Sequence, residues 1–310
     1  ETVVKILDDR QTREKLPFAK LIPALRDMFQ VGCQAPPRHV HEIEGSGGGM
    51  TLIMPAWQTG GFLGIKTVNV FPGTQARALP GLFSTYTLYD AQTGEPRAML
   101  DGNEITSRRT VAASALAASY VASPESKTQL IAGCGRVGSL VAHAYREVLP
   151  IQRVLTWDRD PEAARRLAHQ LQTEGFDALA ATDLAAAVGV ADVVTCATLS
   201  TEPFICGAWL QPHAHLDLIG SFTPQMREAH DDCFRGAAIY IDTDDALRKS
   251  GDLLDPMSRG VFKAVDVVAD LTKLARGEVS GRAGRAGRTV FKSVGTALED
   301  LAAATLAYRS

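Results

Sequence analysis

The sequence predicts an α/β fold, a doubly wound parallel sheet inserted in a second, α+β domain. Three observations carry this. From residue 128 onward, apolar strand-like runs alternate with helix-like runs, the βαβα order of a parallel sheet with right-handed crossovers. The first of those runs ends in TQLIAGCGRVG, a G-x-G-x-x-G between a buried strand and a helix. Before it the chain reads as a helix, then strands and turns, then a small-residue helix. The final segment is a helix whose apolar stripe needs another surface, so it returns to the N-terminal part.

The elements follow in order. Over residues 10–30, Leu16, Ala19, Ile22, Leu25 and Phe29 recur at helical spacing, with Pro23 expected to break or kink the helix. Residues 38–56 read as strand, GSGGG turn, strand. Residues 62–70, FLGIKTVNV, form a strand whose alternation sets Lys66 on the face opposite its immediate neighbours. YTLYDAQTGEPRAML is a hairpin turning at AQTGEP, and SRRTVAASALAASYVA a tightly packed small-residue helix. Strands follow at TQLIAG, RVLTWD, ALAAT, DVVTCAT, AHLDLIG and AIYIDT, with helices at 138–148, 161–173 and 183–188. GEVSGRAGRAGR reads as a solvated loop. TVFKSVGTALEDLAAATLAY reads as a strand and then the closing helix.

The glycine turn has a mechanical logic. Gly133 permits the tight turn, Gly135 lets a pyrophosphate approach the backbone, and Gly138 lets helix and strand pack closely. The helix N-terminus adds free N–H groups. Asp158, about 20 residues beyond Gly138, stands where an acid would bind a ribose 2′-hydroxyl.

Composition excludes other classes. The 310 residues are 45% hydrophobic and 22% charged, ordinary for a soluble globular protein. A net charge of −3 makes no electrostatic case for nucleic acid or an anionic membrane. No apolar run is long enough to span a bilayer, and ETVVKILDD carries no signal-peptide pattern. Cys33, Cys134, Cys196, Cys206 and Cys233 lack C-x-x-C spacing, as expected of reduced thiols in a cytoplasmic protein. The pairs His39/His41 and His213/His215 lack a third ligand at metal-site spacing, so no metal is expected.

Three side chains could carry chemistry. Arg38 follows two prolines that stiffen it, and Arg109 opens the small-residue helix. Either suits a bidentate carboxylate clamp or a structural ion pair. Lys66 lies inside an apolar strand, where burial would lower its pKa into acid/base range; snorkelling to solvent is the other reading.

The segments PPRHV, FLGIKTVNVFP, ITSRRTVAASALAASYVA, LIAGCGRVG, DLIGSFTPQMRE and TVFKSVGTALEDLAAA, in that order, resemble the ornithine cyclodeaminase/mu-crystallin family over nearly the whole chain. The resemblance implies a homodimer with a substrate-binding and dimerisation domain (1–124 plus 290–310) and an inserted Rossmann dinucleotide-binding domain (125–289). It implies NAD(H) or NADP(H) as cofactor and an amino acid or its cyclic imine as substrate. By that resemblance Arg38 matches a carboxylate-binding arginine and Lys66 the active-site lysine. Arg109 and Thr110 match a pair near cofactor and substrate. Gly133, Gly135, Arg136, Val137 and Gly138 match the pyrophosphate loop, Ala197 and Thr198 a strand end lining the cofactor, Glu228 a substrate-orienting acid, and Ser293 a cofactor-side serine.

The departures sharpen the expectation. Where cyclodeaminases of the family carry an acid/base aspartate two residues before a proline, this chain has Phe222. Losing such a group costs roughly 10²–10⁴-fold in rate. Phe222 suits packing against a flat cyclic imine, and GSFTP resembles the imine-reductase branch. The expected activity is therefore NAD(P)H-dependent reduction of Δ1-pyrroline-2-carboxylate or Δ1-piperideine-2-carboxylate. Ornithine cyclodeamination, amino-acid dehydrogenation and non-catalytic cofactor binding remain the alternatives. Asp158 favours NADH by repelling a 2′-phosphate, while Arg159 beside it admits NADPH.

Overall fold

A computed structural model describes residues 3–282 and 286–310. They divide into two compact units, the chain up to Arg109 with Thr296–Ser310, and Thr110–Gly295.

The first unit opens with β1 (Lys5–Leu7), α1 (Asp9–Glu14) and α2 (Phe18–Val31). Asp8 caps α1 by accepting from the Gln11 amide at 2.7 Å, and the Gln11 side chain accepts from the Asp8 amide, a capping box. The single helix expected over 10–30 is thus two, parted at Pro17. The break expected at Pro23 does not occur. Proline removes one backbone bond, and the buried stripe Leu21, Ile22, Leu25, Met28 and Phe29 spans that position.

Next come β2 (His39–Ile43), β3 (Gly49–Trp57), β4 (Phe62–Val70), β5 (Leu82–Asp90) and β6 (Pro96–Asp101). With β1 they form a six-stranded sheet in the order β1-β6-β5-β4-β3-β2, antiparallel except for the parallel β1–β6 pair. Alternation gives the sheet two characters. Gly64, Lys66, Tyr86, Leu88, Ala98 and Leu100 share the buried face, and Ile6, Phe83 and Met99 lie on the exposed one. Helix α3 (Gly102–Val121) follows, and the division between the units falls within it, after Arg109.

The second unit continues with β7 (Thr128–Ala132), α4 (Gly138–Tyr145), β8 (Arg153–Trp157), α5 (Pro161–Thr173), β9 (Asp177–Ala180), α6 (Leu184–Val190), β10 (Val193–Cys196) and β11 (His215–Leu218). Then come β12 (Ala238–Ile241), α7 (Ala246–Lys249), α8 (Gly251–Ser258), β13 (Ala269–Asp270), α9 (Leu271–Ala275) and β14 (Thr289–Lys292). Sequence periodicity had not marked α7, α8, β13 or α9, which are too short to show a period. The eight strands are all parallel, in the order β13-β12-β14-β11-β10-β7-β8-β9. The order reverses between β7 and β10, the switch point of a doubly wound sheet. Leu130, Val194, Leu216, Ile239 and Val290 make the centre of its core. Of the Gly/Arg-rich loop, residues 283–285 lie outside the described residues. The chain ends in α10 (Ala297–Arg309), which belongs to the first unit and packs on α2, β3, β4 and β5.

Candidate active site

In the first unit, β4 delivers Lys66 to the buried face of the sheet, where it is 2% exposed. Helix α10 lies over that face. Thr296 caps it, accepting from the Leu298 amide at 3.3 Å, and its first turn carries Glu299 and Asp300, both fully buried. Acids there are favoured by the helix dipole. Arg109 comes from α3 and is 5% exposed.

These four form one ion network. Asp300 Oδ2 lies 2.8 Å from Lys66 Nζ, and Asp300 Oδ1 accepts from Arg109 Nε at 2.8 Å. Arg109 Nη1 donates to Glu299 Oε2 at 2.8 Å. Lys66 Nζ also donates to Thr106 Oγ1 at 3.2 Å. Burial pulls the Lys66 pKa below its ordinary value, with Asp300 opposing that pull. Burial would raise Asp300, but Lys66 and Arg109 outweigh it and hold the carboxyl below its ordinary range. The same carboxylates overcome burial and raise Arg109. Tyr86 stands directly across from Lys66 on β5, buried, its hydroxyl without a partner among the described residues.

Of the two readings of Arg109, carboxylate clamp or structural ion pair, the structure shows the ion pair, made through Nε and Nη1. Arg38 is exposed, just before β2, and no ion pair engages it among the described residues. His39, the residue after it, pairs with Ile53, and Met54 pairs with Lys66.

In the second unit the glycine turn joins β7 to α4. Gly133 has φ of +102°, and a Cβ there would lie 2.6 Å from the Ala197 carbonyl. A Cβ on Gly138 would lie 1.9 Å from the Gly133 carbonyl, whereas one on Gly135 would meet nothing within 4 Å. Two glycines are thus required by packing, and the third leaves open space above the backbone, the cradle that a pyrophosphate needs. Arg136 is exposed and Val137 half-buried, in the turn before α4. Ala197 and Thr198, after β10, lie against the turn at Gly133. Thr110 is half-buried in α3. Ser293 is buried after β14, its amide donating to the Leu218 carbonyl at 3.3 Å.

Asp158 follows β8. Its Oδ2 accepts from the Cys134 amide at 2.8 Å and its Oδ1 from the Asp160 amide at 2.9 Å. The acid is tied to the glycine turn itself, with one lone pair on each oxygen left over. Arg159 is exposed beside it.

Glu228, expected to orient the substrate or the lysine, braces the interior here. Fully buried, its carboxylate accepts from the Thr198 amide at 2.7 Å, the Thr198 hydroxyl at 2.8 Å and the Gly220 amide at 2.8 Å. Burial, with Asp252 adding to it, pushes its pKa up to about 7 against the pull of Lys292. Phe222 was expected to pack against a ring; its side chain is 49% exposed.

Sequence reasoning missed Glu299, Asp300 and Lys292. The signal for the first two was present: adjacent acids in the otherwise uncharged TALEDLAAATLAY must reach the buried face of a helix that is apolar nearly all round. Lys292 sits in the apolar strand TVFK as Lys66 does in its own. It is fully buried, donates to the Leu218 carbonyl at 2.8 Å, and stands among Asp252, Glu228, Asp242 and Asp217. Among the described residues no group of three or more His, Cys, Asp or Glu is placed to hold a metal, and no helix is long and apolar enough to cross a membrane.

An eight-stranded parallel sheet with a glycine turn at its switch point, and a second unit holding a buried lysine network, define a dinucleotide-binding α/β protein of two units. The chain belongs to the ornithine cyclodeaminase/mu-crystallin family, whose model matches residues 6–310. It is 39% identical over 255 residues to a Δ1-pyrroline-2-carboxylate reductase of Paracoccus denitrificans, covering 82% of this chain and 81% of that protein. Its structure resembles the Thermococcus litoralis Δ1-pyrroline-2-carboxylate reductase in complex with NADH and L-proline, with TM-score 0.91, 28% identity and coverage of 99% and 97% of the two chains. It also resembles an archaeal alanine dehydrogenase dimer with bound NAD, with TM-score 0.90, 28% identity and coverage of 99% and 95%.

Proposed function

We propose that this chain reduces a cyclic α-imino acid, Δ1-pyrroline-2-carboxylate or its six-membered homologue, to the amino acid. The observation that carries the reading is Lys66, an amine buried among charged partners on a rigid strand. In its ammonium form Lys66 donates to Thr106 and lies 2.8 Å from the Asp300 carboxylate. A C=N bond accepts hydride when its nitrogen is protonated, and Lys66 supplies that proton. Arg38 pairs with the substrate carboxylate, a role that suits an exposed guanidinium. When bound at the glycine turn, NAD(P)H supplies the hydride. Phe222 supports imine reduction over deamination, because a phenyl ring cannot carry the proton that ammonia elimination requires.

NAD(H) is the preferred cofactor in this reading. Asp158 keeps its negative charge close to the turn, where it would repel a 2′-phosphate. The working form is a homodimer. The exposed sheet face of the first unit, with Ile6 74%, Phe83 48% and Met99 42% exposed, is the surface a second copy would cover. Five unpaired cysteines suit a reducing, cytoplasmic setting.

The test is oxidation of NADH and NADPH, followed by absorbance, with five- and six-membered cyclic imino acids, beside ornithine and alanine with NAD. Turnover of an imine, with NADH preferred, is expected. Proline and ammonia from ornithine would overturn the reading. Lys66→Ala is expected to lower kcat/KM by about 10²-fold or more while NADH still quenches protein fluorescence as in the wild type.

A further inference from the structure

We propose that Asp300 is a positioning residue for Lys66, holding it as an ammonium in place on β4. This rests on the acid role of Lys66 given above and adds what controls it.

The four buried side chains balance in charge. Lys66 and Arg109 contribute two positive charges, Glu299 and Asp300 two negative ones, and all four are buried. Removing the Lys66 proton leaves a net negative charge where water cannot solvate it, so the resting amine is charged. Asp300 is the member that couples the two cations, one carboxylate oxygen on each. Its plane cannot turn without breaking one contact. Arg109 in turn spans Glu299 and Asp300, consecutive residues of α10, which fixes the helix end over β4. Thr106 accepts from Lys66 Nζ without adding charge. Tyr86, the remaining titratable neighbour, has its phenol pushed well up by burial and stays neutral.

In the proton step the Lys66 N–H bond breaks and a bond to the imine nitrogen forms. Hydride then adds to the adjacent carbon, and the neutral Lys66 amine regains its proton from water. Between donation and recovery the cluster carries one uncompensated negative charge, which drives the recovery.

The test replaces the charge and keeps the shape. Asp300→Asn is expected to lower kcat/KM at neutral pH by about 10²-fold and to move the alkaline limb of the kcat/KM profile to lower pH by more than one unit. NADH affinity by fluorescence should stay as in the wild type. NMR of protein labelled at lysine Cε, with the Lys66 signal assigned by its loss in Lys66→Arg, reads the amine without turnover. In Asp300→Asn its titration should move down in pH; in Arg109→Gln, which removes a neighbouring positive charge, it should move up. Arg109→Gln carries the test if Asp300→Asn does not fold. An unmoved Lys66 titration overturns the inference, whatever the activity. A moved titration with an unmoved rate profile upholds the hold of Asp300 on the amine and instead overturns the acid role of Lys66.

Discussion

Several buried charges in this protein are held by named partners. Glu228 shows what such an arrangement is worth. Three donors end on its carboxylate, two from Thr198 and one from Gly220, and none has another acceptor as close. Glu228→Ala removes the acceptor of the buried Gly220 amide and of two half-buried Thr198 donors, a loss of about 1–3 kcal/mol. A thermal midpoint lowered by several degrees is expected, whereas Glu228→Gln, which keeps one acceptor oxygen, should recover part of it. A midpoint unchanged in the alanine variant would remove the brace from the account. Residue type alone marked Lys66 as unusual, because a charge in an apolar strand needs a reason. It did not disclose Asp300, since a partner 234 positions away in the sequence is chosen by packing.

The glycine turn is legible at the scale of a single element, because its constraints are local. Gly133 and Gly138 are crowded by backbone, and Gly135 faces open space. Substitutions should therefore separate folding from binding. Gly135→Ala is expected to keep the thermal midpoint within a degree or two of the wild type and to weaken NADH binding at least tenfold, because the added methyl group occupies the pyrophosphate cradle. Gly138→Ala is expected to lose both, since its methyl group would meet the Gly133 carbonyl. Equal NADH affinity in Gly135→Ala, by fluorescence titration, would place the cofactor elsewhere. Helix α10 was readable as a helix with an apolar stripe. Its acids became meaningful only when it lay on β4.

The whole molecule responds to pH through its second unit. His215 is buried on β11, with Nδ1 on the Thr289 hydroxyl at 2.9 Å and Nε2 unpaired among the described residues. Burial pulls its pKa from 6.5 to about 3. The folded state then binds fewer protons than the unfolded chain between those values, so stability is lost as pH falls from 6.5 towards 3, by about 1.4 kcal/mol per pH unit. Asp217, pushed up to about 6 by burial, acts in the opposite direction. Its contribution is complete below 3.8 and is lost as pH rises through about 6. Comparing His215→Gln with the wild type isolates the histidine. The variant should lose less stability than the wild type between pH 6 and pH 4 in urea denaturation. Parallel losses would mean that His215 is not charging.

The sequence by itself determined the parallel sheet, the glycine turn, the identity of Lys66 and the absence of an acid at Phe222. Each depends on alternation, on steric room at one residue or on side-chain chemistry, and all of these are written within a few positions. Tertiary structure alone decided that Arg109 is paired with Glu299 and Asp300, that Glu228 braces two loops, and that α2 continues through Pro23. Those outcomes turn on which charges share a dry interior and which buried stripes offset a lost hydrogen bond, and segments far apart in the chain settle such matters only when they pack.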